Sequence, residues 1–249
     1  MAGRTFAIGD IHGDIDALEL VLERLPALQP EDTLVFVGDY VDRGPASMEV
    51  IARVRGLQAA PPCKVVALMG NHEEAWLRVL DEGWPEFVMP VGNGCLATYR
   101  SFTGGPVAGE DEMPRKDEVM LLNSGEFFPD EVIAWMRALP YWYEDDHAIY
   151  VHAGITSEDG LWIHPSEEPK PSKLLWTRQE AFFREYAGKL AVFGHTATNY
   201  LPPELSTHTP ADPDDMWVSD CLIALDTGAG KGGFLSCVEL PSRKVYESR

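Results

Sequence analysis

Five short stretches of the sequence carry carboxylate, imidazole or amide side chains within two residues of a glycine. They contain Asp10 and His12, Asp39 and Asp42, Asn71 and His72, His152, and His195. Mixed oxygen and nitrogen ligands suit Mn, Fe or Zn, and there are enough of them here for two ions. Because no cysteines cluster with them, a structural zinc site is disfavoured. The set therefore predicts a binding site for two divalent metals.

Each of these stretches follows a short apolar run that is typical of a buried strand. The first three runs, at residues 6–8, 33–37 and 64–69, alternate with helical patterns, which predicts a β-α-β-α-β order. That order favours an α/β fold with a mostly parallel sheet and right-handed crossovers. Since ligands bind at the carboxyl ends of such strands, we expect the polar stretches to meet at one edge.

The later chain is predicted to complete a single domain over residues 1–249. Residues 83–140 form a helical elaboration within it, residues 142–151 a hairpin, and residues 172–186 a helix. Residues 222–225 and 234–240 are predicted closing strands, joined by a glycine-rich turn in which Asp226 has a turn role. Two irregular segments, 104–118 and 202–216, are predicted loops, and we expect them to select the substrate.

The composition excludes several classes of partner. Forty acidic and twenty basic residues give a net charge of −20, which repels polyanions and disfavours general nucleic-acid binding. A phosphate substrate is still compatible with this charge if metals supply local positive charge.

The four scattered cysteines indicate free thiols rather than a disulfide framework. No apolar run reaches the ~20 residues of a membrane span, and no signal-peptide layout is present, so we expect a cytoplasmic protein. The sequence gives no indication of oligomeric state.

Three of the stretches resemble, in order and spacing, the signature blocks of a known family. Gly9–Gly13, Gly38–Gly44 and Gly70–Glu73 are similar to the blocks of the phosphoprotein phosphatase family of dinuclear metallophosphatases. His152–Gly154 and Gly194–Thr196 look like its remaining metal-histidine blocks. The chain length, the Leu-Leu-Trp-Thr-Arg segment and His-Ala-Gly are most similar to the bacterial and phage-lambda-type serine/threonine branch. The resemblance implies a calcineurin-like metallophosphoesterase fold, a β-sheet sandwich flanked by helices with the metal site at strand ends.

The resemblance also implies how two divalent ions would be bound, with Mn²⁺ preferred to Fe or Zn. Asp10 and His12 would bind the first ion, and Asp39 would bridge both. Three residues would complete the second site: Asn71, His152 and His195. Two such ions can activate a water between them for in-line attack on phosphorus.

The remaining roles belong to substrate binding and proton transfer. Arg43 and, by resemblance, Arg178 would clamp phosphate oxygens with their planar guanidinium groups, and the Asn71 amide would add a donor. His72 would be the general acid, with Asp42 orienting its ring. Glu73 is predicted only to favour the start of a helix through the helix dipole.

We expect a serine/threonine protein phosphatase that acts on a phosphoprotein or phosphopeptide. The alternative is a nucleotide hydrolase that resembles the symmetric diadenosine tetraphosphatases, because the motifs determine the phosphate chemistry and not the leaving group. The acidic composition weighs weakly against polyphosphates. A catalytically inactive phosphate-binding module is disfavoured because no ligand is missing, and a plain α/β domain would bind no divalent metal.

Overall fold

The strands and helices were located in a computed structural model that describes residues 3–109, 111–208, 212 and 214–249. The strands are β1 (Thr5–Ile8), β2 (Thr33–Phe36), β3 (Lys64–Ala67), β4 (Trp142–Glu144), β5 (Ile149–Val151), β6 (Ser157–Glu158), β7 (Leu161–Trp162), β8 (Ala191–Phe193), β9 (Trp217–Val218), β10 (Leu222–Ala224), β11 (Ser236–Leu240) and β12 (Lys244–Glu247). The α-helices are α1 (Ile15–Arg24), α2 (Ser47–Ala59), α3 (Asn71–Glu82), α4 (Pro85–Val88), α5 (Cys95–Thr103), α6 (Lys116–Ser124), α7 (Asp130–Arg137), α8 (Lys173–Trp176) and α9 (Glu180–Glu185). Short 3₁₀ turns occupy Val91–Asn93, Pro165–Glu167, Thr198–Tyr200 and Pro203–Leu205.

Two five-stranded sheets form the centre of the fold. The first has the order β12-β11-β1-β2-β3, and the second has the order β4-β5-β8-β10-β9. The three central strands are parallel in the second sheet, and β1, β2 and β3 are parallel in the first. The neighbours β11, β12, β4 and β9 run antiparallel. The predicted parallel strands are therefore extended by antiparallel ones, of which β9 and β12 were not predicted.

The sheets pack face to face because side chains alternate along each strand. Ala7 and Val35 of the first sheet share one buried cluster with Tyr150 and Val192 of the second. The opposite face of the first sheet packs against helices of both the β-α-β-α-β unit and the following helical region. The outer face of the second sheet is covered by residues that include Phe182 of α9. The predicted α/β sandwich with flanking helices is confirmed.

Several predicted boundaries differ from the structure. The helix predicted over 172–186 is broken into α8 and α9, because Thr177 and Gln179 have extended backbone conformations. The loop predicted over 104–118 ends earlier, since α6 begins at Lys116. Glu110 within that loop, and residues 209–211 and 213 of the loop predicted over 202–216, lie outside the described residues.

None of the helices in the described part of the chain combines the length and the apolar character that crossing a membrane requires.

Candidate metal centre

The polar stretches do meet at one edge of the sandwich, and their backbone is shaped for it. His12, Asp39, Asp42, Arg43 and His195 all have positive φ angles, between 46° and 71°. Such angles are uncommon for residues other than glycine, and they concentrate at functional sites where the surrounding structure holds them. The strand ends therefore turn sharply at the residues that present their side chains to a common centre.

Asp39 lies between two groups of candidate metal ligands. Among the described residues, the ligand atoms of His12, Asp39 and His72 lie within 4.8 Å of one another, and so do those of Asp39, His152 and His195. Asp39 Oδ2 is 3.4 Å from His12 Nε2, and Asp39 Oδ1 is 3.4 Å from His152 Nε2. One carboxylate thus faces an imidazole on each side, as a bridging ligand must.

Asn71 joins the second group. Its Oδ1 lies 2.8 Å from His152 Nε2 and 2.8 Å from His195 Nδ1, and all three side chains are buried. The polar atoms of one amide and two imidazoles therefore converge on one region, which is the arrangement expected of ligands around a cation.

The far nitrogens of two imidazoles are bound to main-chain carbonyls. His12 Nδ1 donates to Val41 O at 2.8 Å, and His152 Nδ1 donates to Val37 O at 2.9 Å. These contacts fix the ring orientation and leave Nε2 as the unprotonated atom that faces the centre. Burial lowers the pKa of both histidines, so each imidazole is neutral, the form that binds metal.

Asp10 lies outside both groups, but its environment also favours a nearby cation. Its Oδ2 accepts a hydrogen bond from the His195 main chain at 2.9 Å, but its buried Oδ1 has no hydrogen-bond partner among the described residues. Burial, followed by the charges of Asp226 and Asp39, raises the pKa of Asp10 well above its usual range. A buried carboxylate of this kind needs a nearby positive charge. A Cβ at Gly194 would lie 1.8 Å from Asp10 Oδ1, so only glycine leaves room for that carboxylate.

The donor set therefore fits two divalent ions that share Asp39. Within the part of the chain that the structure describes, His195 Nε2, like Asp10 Oδ1, is a buried atom without a hydrogen-bond partner, and such atoms are uncommon unless an ion or water completes them.

His72 and Asp42 form a buried pair beside the first group. His72 Nδ1 lies 2.6 Å from Asp42 Oδ2. The other carboxylate oxygen, Oδ1, accepts from Trp76 Nε1 at 2.9 Å and from Thr98 Oγ1 at 2.6 Å. Asp42 is thereby held in one orientation, and the His72 Nε2 atom is directed towards the Asp39 carboxylate, 3.9 Å away.

Glu73 has a larger role than its predicted place at a helix start. Its carboxylate is fully buried and accepts four main-chain N–H groups, from Gly70, Asp39, Tyr40 and Val41, at 2.8–3.2 Å. It thus ties the loop after β2 to the start of α3, and so holds the bridging Asp39 in place. The sequence signal was a carboxylate next to two site residues, but its long-range partners were not visible there.

The two arginines predicted to bind phosphate have different settings. Arg43 Nη1 contacts His12 Nε2, and the side chain lines a cavity of about 1300 Å³. Arg178 is exposed at the break between α8 and α9. Its charge contributes, after burial and His152, to the lowered pKa of His195. Both cations therefore lie beside the centre, on different loops.

Asp226 has the predicted turn contact and an additional position. Its Oδ1 accepts from the Gly228 main chain at 3.2 Å, as expected in a turn. The side chain is fully buried, however, and its charge raises the pKa of Asp10. The sequence did not indicate this proximity, because Asp10 follows β1 and Asp226 follows β10, and these strands are far apart in the chain.

A comparison with protein families identifies the family of the chain. The family described as calcineurin-like phosphoesterase matches residues 3–199. The chain belongs to this family. Calcineurin-like phosphoesterases use dinuclear divalent metal centres, which agrees with the two ligand groups around Asp39.

Proteins similar to the chain are named as tetraphosphatases and as a protein-tyrosine phosphatase. A symmetrical bis(5'-nucleosyl)-tetraphosphatase of Yersinia pestis is 34% identical over 157 residues, which cover 62% of this chain and 43% of the relative. The matched region thus spans less than half of that relative's length. A solved structure, provisionally named as a diadenosine tetraphosphatase, has a TM-score of 0.61 at 20% identity and covers 99% of this chain and 93% of its own. A cold-active protein-tyrosine phosphatase of Shewanella sp. has a TM-score of 0.58 at 18% identity, with 100% and 81% covered. At these identities the solved structures support the fold alone.

Proposed function

We propose that the chain hydrolyses dinucleoside polyphosphates of the diadenosine tetraphosphate type. The sequence alone favours a serine/threonine protein phosphatase, with the nucleotide hydrolase as the alternative. The curated relative with 34% identity is named for the alternative, and we adopt it here. The observation that carries the proposal is a set of aromatic rings that flanks the centre.

These rings extend from the proposed general acid to a proposed metal ligand. Phe87 lies 5.4 Å from His72, measured between ring centroids, and Trp84 stacks on Phe87 at 5.4 Å. Trp176 meets Trp84 at 6.0 Å and His195 at 6.4 Å. The Trp176 side chain is 37% exposed, so part of its ring is accessible. Nucleobases stack on such rings with about 1–3 kcal/mol per base, whereas a phosphoserine side chain gains nothing comparable.

Six residues would hold the two ions: Asp10, His12, Asp39, Asn71, His152 and His195. Bound there, two divalent ions would bind phosphoryl oxygens and lower the pKa of the attacking water. Mn²⁺ is the ion we propose, with Fe and Zn compatible with the same donors.

The chain's own side chains would bind the phosphate and move the proton. Arg43 and Arg178 would donate to the non-bridging oxygens, and the Asn71 amide nitrogen would add a third donor. His72 would give the proton on Nε2 to the departing oxygen, while Asp42 holds the proton on Nδ1 and stabilises the charged ring. The 2.6 Å contact between His72 Nδ1 and Asp42 Oδ2 supports this assignment.

The experiment is a substrate panel with added Mn²⁺. We expect kcat/KM to be higher for diadenosine tetraphosphate than for phosphoserine, phosphothreonine and phosphotyrosine peptides. The opposite order would reject the proposal in favour of a protein phosphatase.

A pair of variants at Trp176 tests whether its ring stacks on a nucleobase of the substrate. Trp176→Ala should raise KM for the dinucleotide about tenfold, as expected for the loss of one stacked base. Trp176→Phe keeps a ring but loses the 2.6 Å hydrogen bond from Trp176 Nε1 to Glu74, and should stay near the wild-type KM. Equal losses in the two variants would mean that the ring is not used for stacking.

A further inference from the structure

The turn that joins β10 to β11 is packed against the candidate metal centre. Its main chain is closed by hydrogen bonds from Lys231 and Gly233 to Gly228 O, each 3.0 Å long. Gly230 lies directly on the loop after β1, since a Cβ at Gly230 would be 2.3 Å from His12 O. The turn, which the sequence indicated only as glycine-rich, is therefore positioned by a residue of the centre.

Lys231 extends from this turn into the cavity that Arg43 also lines. Its side chain is 32% exposed, and its Nζ lies 3.5 Å from Asp226 Oδ2. Because the Asp226 side chain is fully buried, the ammonium group is held at the wall of the cavity and does not extend freely into solvent. An ammonium group has three donors, and its contact with Asp226 is an ion pair rather than a hydrogen bond, so these donors remain for a ligand.

Lys231 and Arg43 both line this cavity, and they supply positive charge there in a chain with a net charge of −20. Gly230, the residue before Lys231, packs against the main chain of His12, so the turn that carries Lys231 is adjacent to the candidate metal centre. Two cations that line one cavity suit a ligand with two phosphoryl groups.

We propose that Lys231 binds a second phosphoryl group of a polyphosphate substrate, adjacent to the one that reacts. This inference rests on the proposed function, since a phosphate monoester has no second phosphoryl group. Lys231 is then a specificity-determining residue: it contributes affinity for polyphosphate chains and little for monoesters. The competing explanation is that Lys231 only neutralises Asp226, in which case its removal weakens every phosphate ligand alike.

The test compares two non-hydrolysable ligands by calorimetric titration of Mn²⁺-loaded protein at matched free Mn²⁺. Methylenediphosphonate has two phosphoryl groups and methylphosphonate has one. In Lys231→Met, Kd for the diphosphonate should rise about tenfold, as for the loss of one charge-assisted hydrogen bond, and Kd for the monophosphonate less than about twofold. Lys231→Arg should restore most of the diphosphonate affinity.

Lys64→Met is the matched control, because it removes the same charge at the amino-terminal end of β3, opposite the strand ends that carry the ligands. It should change neither Kd. Manganese content and melting temperature, measured on each variant, show that the centre is intact. If Lys231→Met does not fold, Lys231→Gln, which keeps a polar side chain beside Asp226, gives the same comparison.

Equal increases for both ligands, or no increase for either, would overturn the inference. The binding measurement does not depend on which substrate is cleaved. Wild-type protein that leaves diadenosine tetraphosphate intact would therefore reject the proposed function, and unselective binding by the Lys231 variants would separately reject the second phosphoryl site.

Discussion

His72 Nδ1 and Asp42 Oδ2 lie 2.6 Å apart, in a contact that connects the start of α3 with the loop after β2. Asp42 is fully buried and receives further hydrogen bonds from Trp76 and Thr98. The carboxylate therefore cannot rotate away from His72 without losing two other donors. A proton on His72 Nε2 is thereby directed towards the Asp39 side of the centre.

Replacing Asp42 by Asn should impair this proton transfer and leave the metal ligands in place. An amide cannot stabilise the charged imidazole, so we expect kcat to fall by about 100-fold or more. The loss should be larger for phosphate esters with poor leaving groups, since these need the proton most. Equal losses for good and poor leaving groups, at unchanged manganese content, would show that His72 is not the acid.

Replacing Asp39 by Asn should disrupt both metal positions at once. The side chain faces His12 and His152 through different oxygens, each at 3.4 Å, and the amide has only one oxygen and no charge. We expect manganese content well below two ions per chain, and no rise in melting temperature when Mn²⁺ is added to metal-free protein. A variant that still binds two ions and is stabilised by Mn²⁺ would contradict the bridging role.

Replacing Glu73 by Gln should lower the stability of the whole centre. Each carboxylate oxygen accepts two main-chain N–H groups, so the NH₂ group of glutamine would face two donors in either orientation. We expect a loss of about 2–4 kcal/mol in the free energy of unfolding, measured with urea. Glu82→Gln, at an exposed position of the same helix, is the control and should change it by less than about 0.5 kcal/mol. Similar values for the two variants would reject this role of Glu73.

The positive φ of Arg43, 71°, predicts a difference between two substitutions that both remove the guanidinium group. Arg43→Gly should be more stable than Arg43→Ala by about 1 kcal/mol, because glycine adopts this conformation without steric cost. Arg178 is not among the residues with positive φ, so there the glycine variant should be no more stable than the alanine variant. Melting temperatures of the four variants test this prediction. If Arg43→Ala is as stable as Arg43→Gly, the backbone of the loop is not strained at this position.

Much of the fold and of the candidate metal centre could be predicted, because the patterns that indicate them lie within short segments of the sequence. Asp10, Asn71 and His152 each follow an apolar strand and lie near a glycine, and parallel strands bring their carboxyl ends to one edge. The strand order of the second sheet and the edge strand β12 could not be predicted in the same way. In the second sheet the pairing depends on partners far apart in the chain, such as Ile223 with Val192, whereas β12 pairs with the neighbouring strand β11 through residues such as Cys237 and Tyr246.

The residues that sequence reasoning missed act through distant partners. Glu73 accepts hydrogen bonds from a loop more than thirty residues earlier, and Asp226 affects a carboxylate at the other end of the chain. Lys231 is an ordinary lysine in a glycine-rich turn until the turn is placed on His12. Nothing in the local spacing of these residues distinguishes them from caps, turns and solvated charges.

Whether Asp39 bridges two divalent ions can be measured by anomalous X-ray diffraction from Mn²⁺-loaded crystals. We predict two anomalous peaks per chain, about 3.5–4 Å apart, with the Asp39 carboxylate between them. One peak should lie next to Asp10 and His12, and the other next to Asn71, His152 and His195. A single peak, or two peaks that do not share Asp39, would show that Asp39 does not bridge two ions.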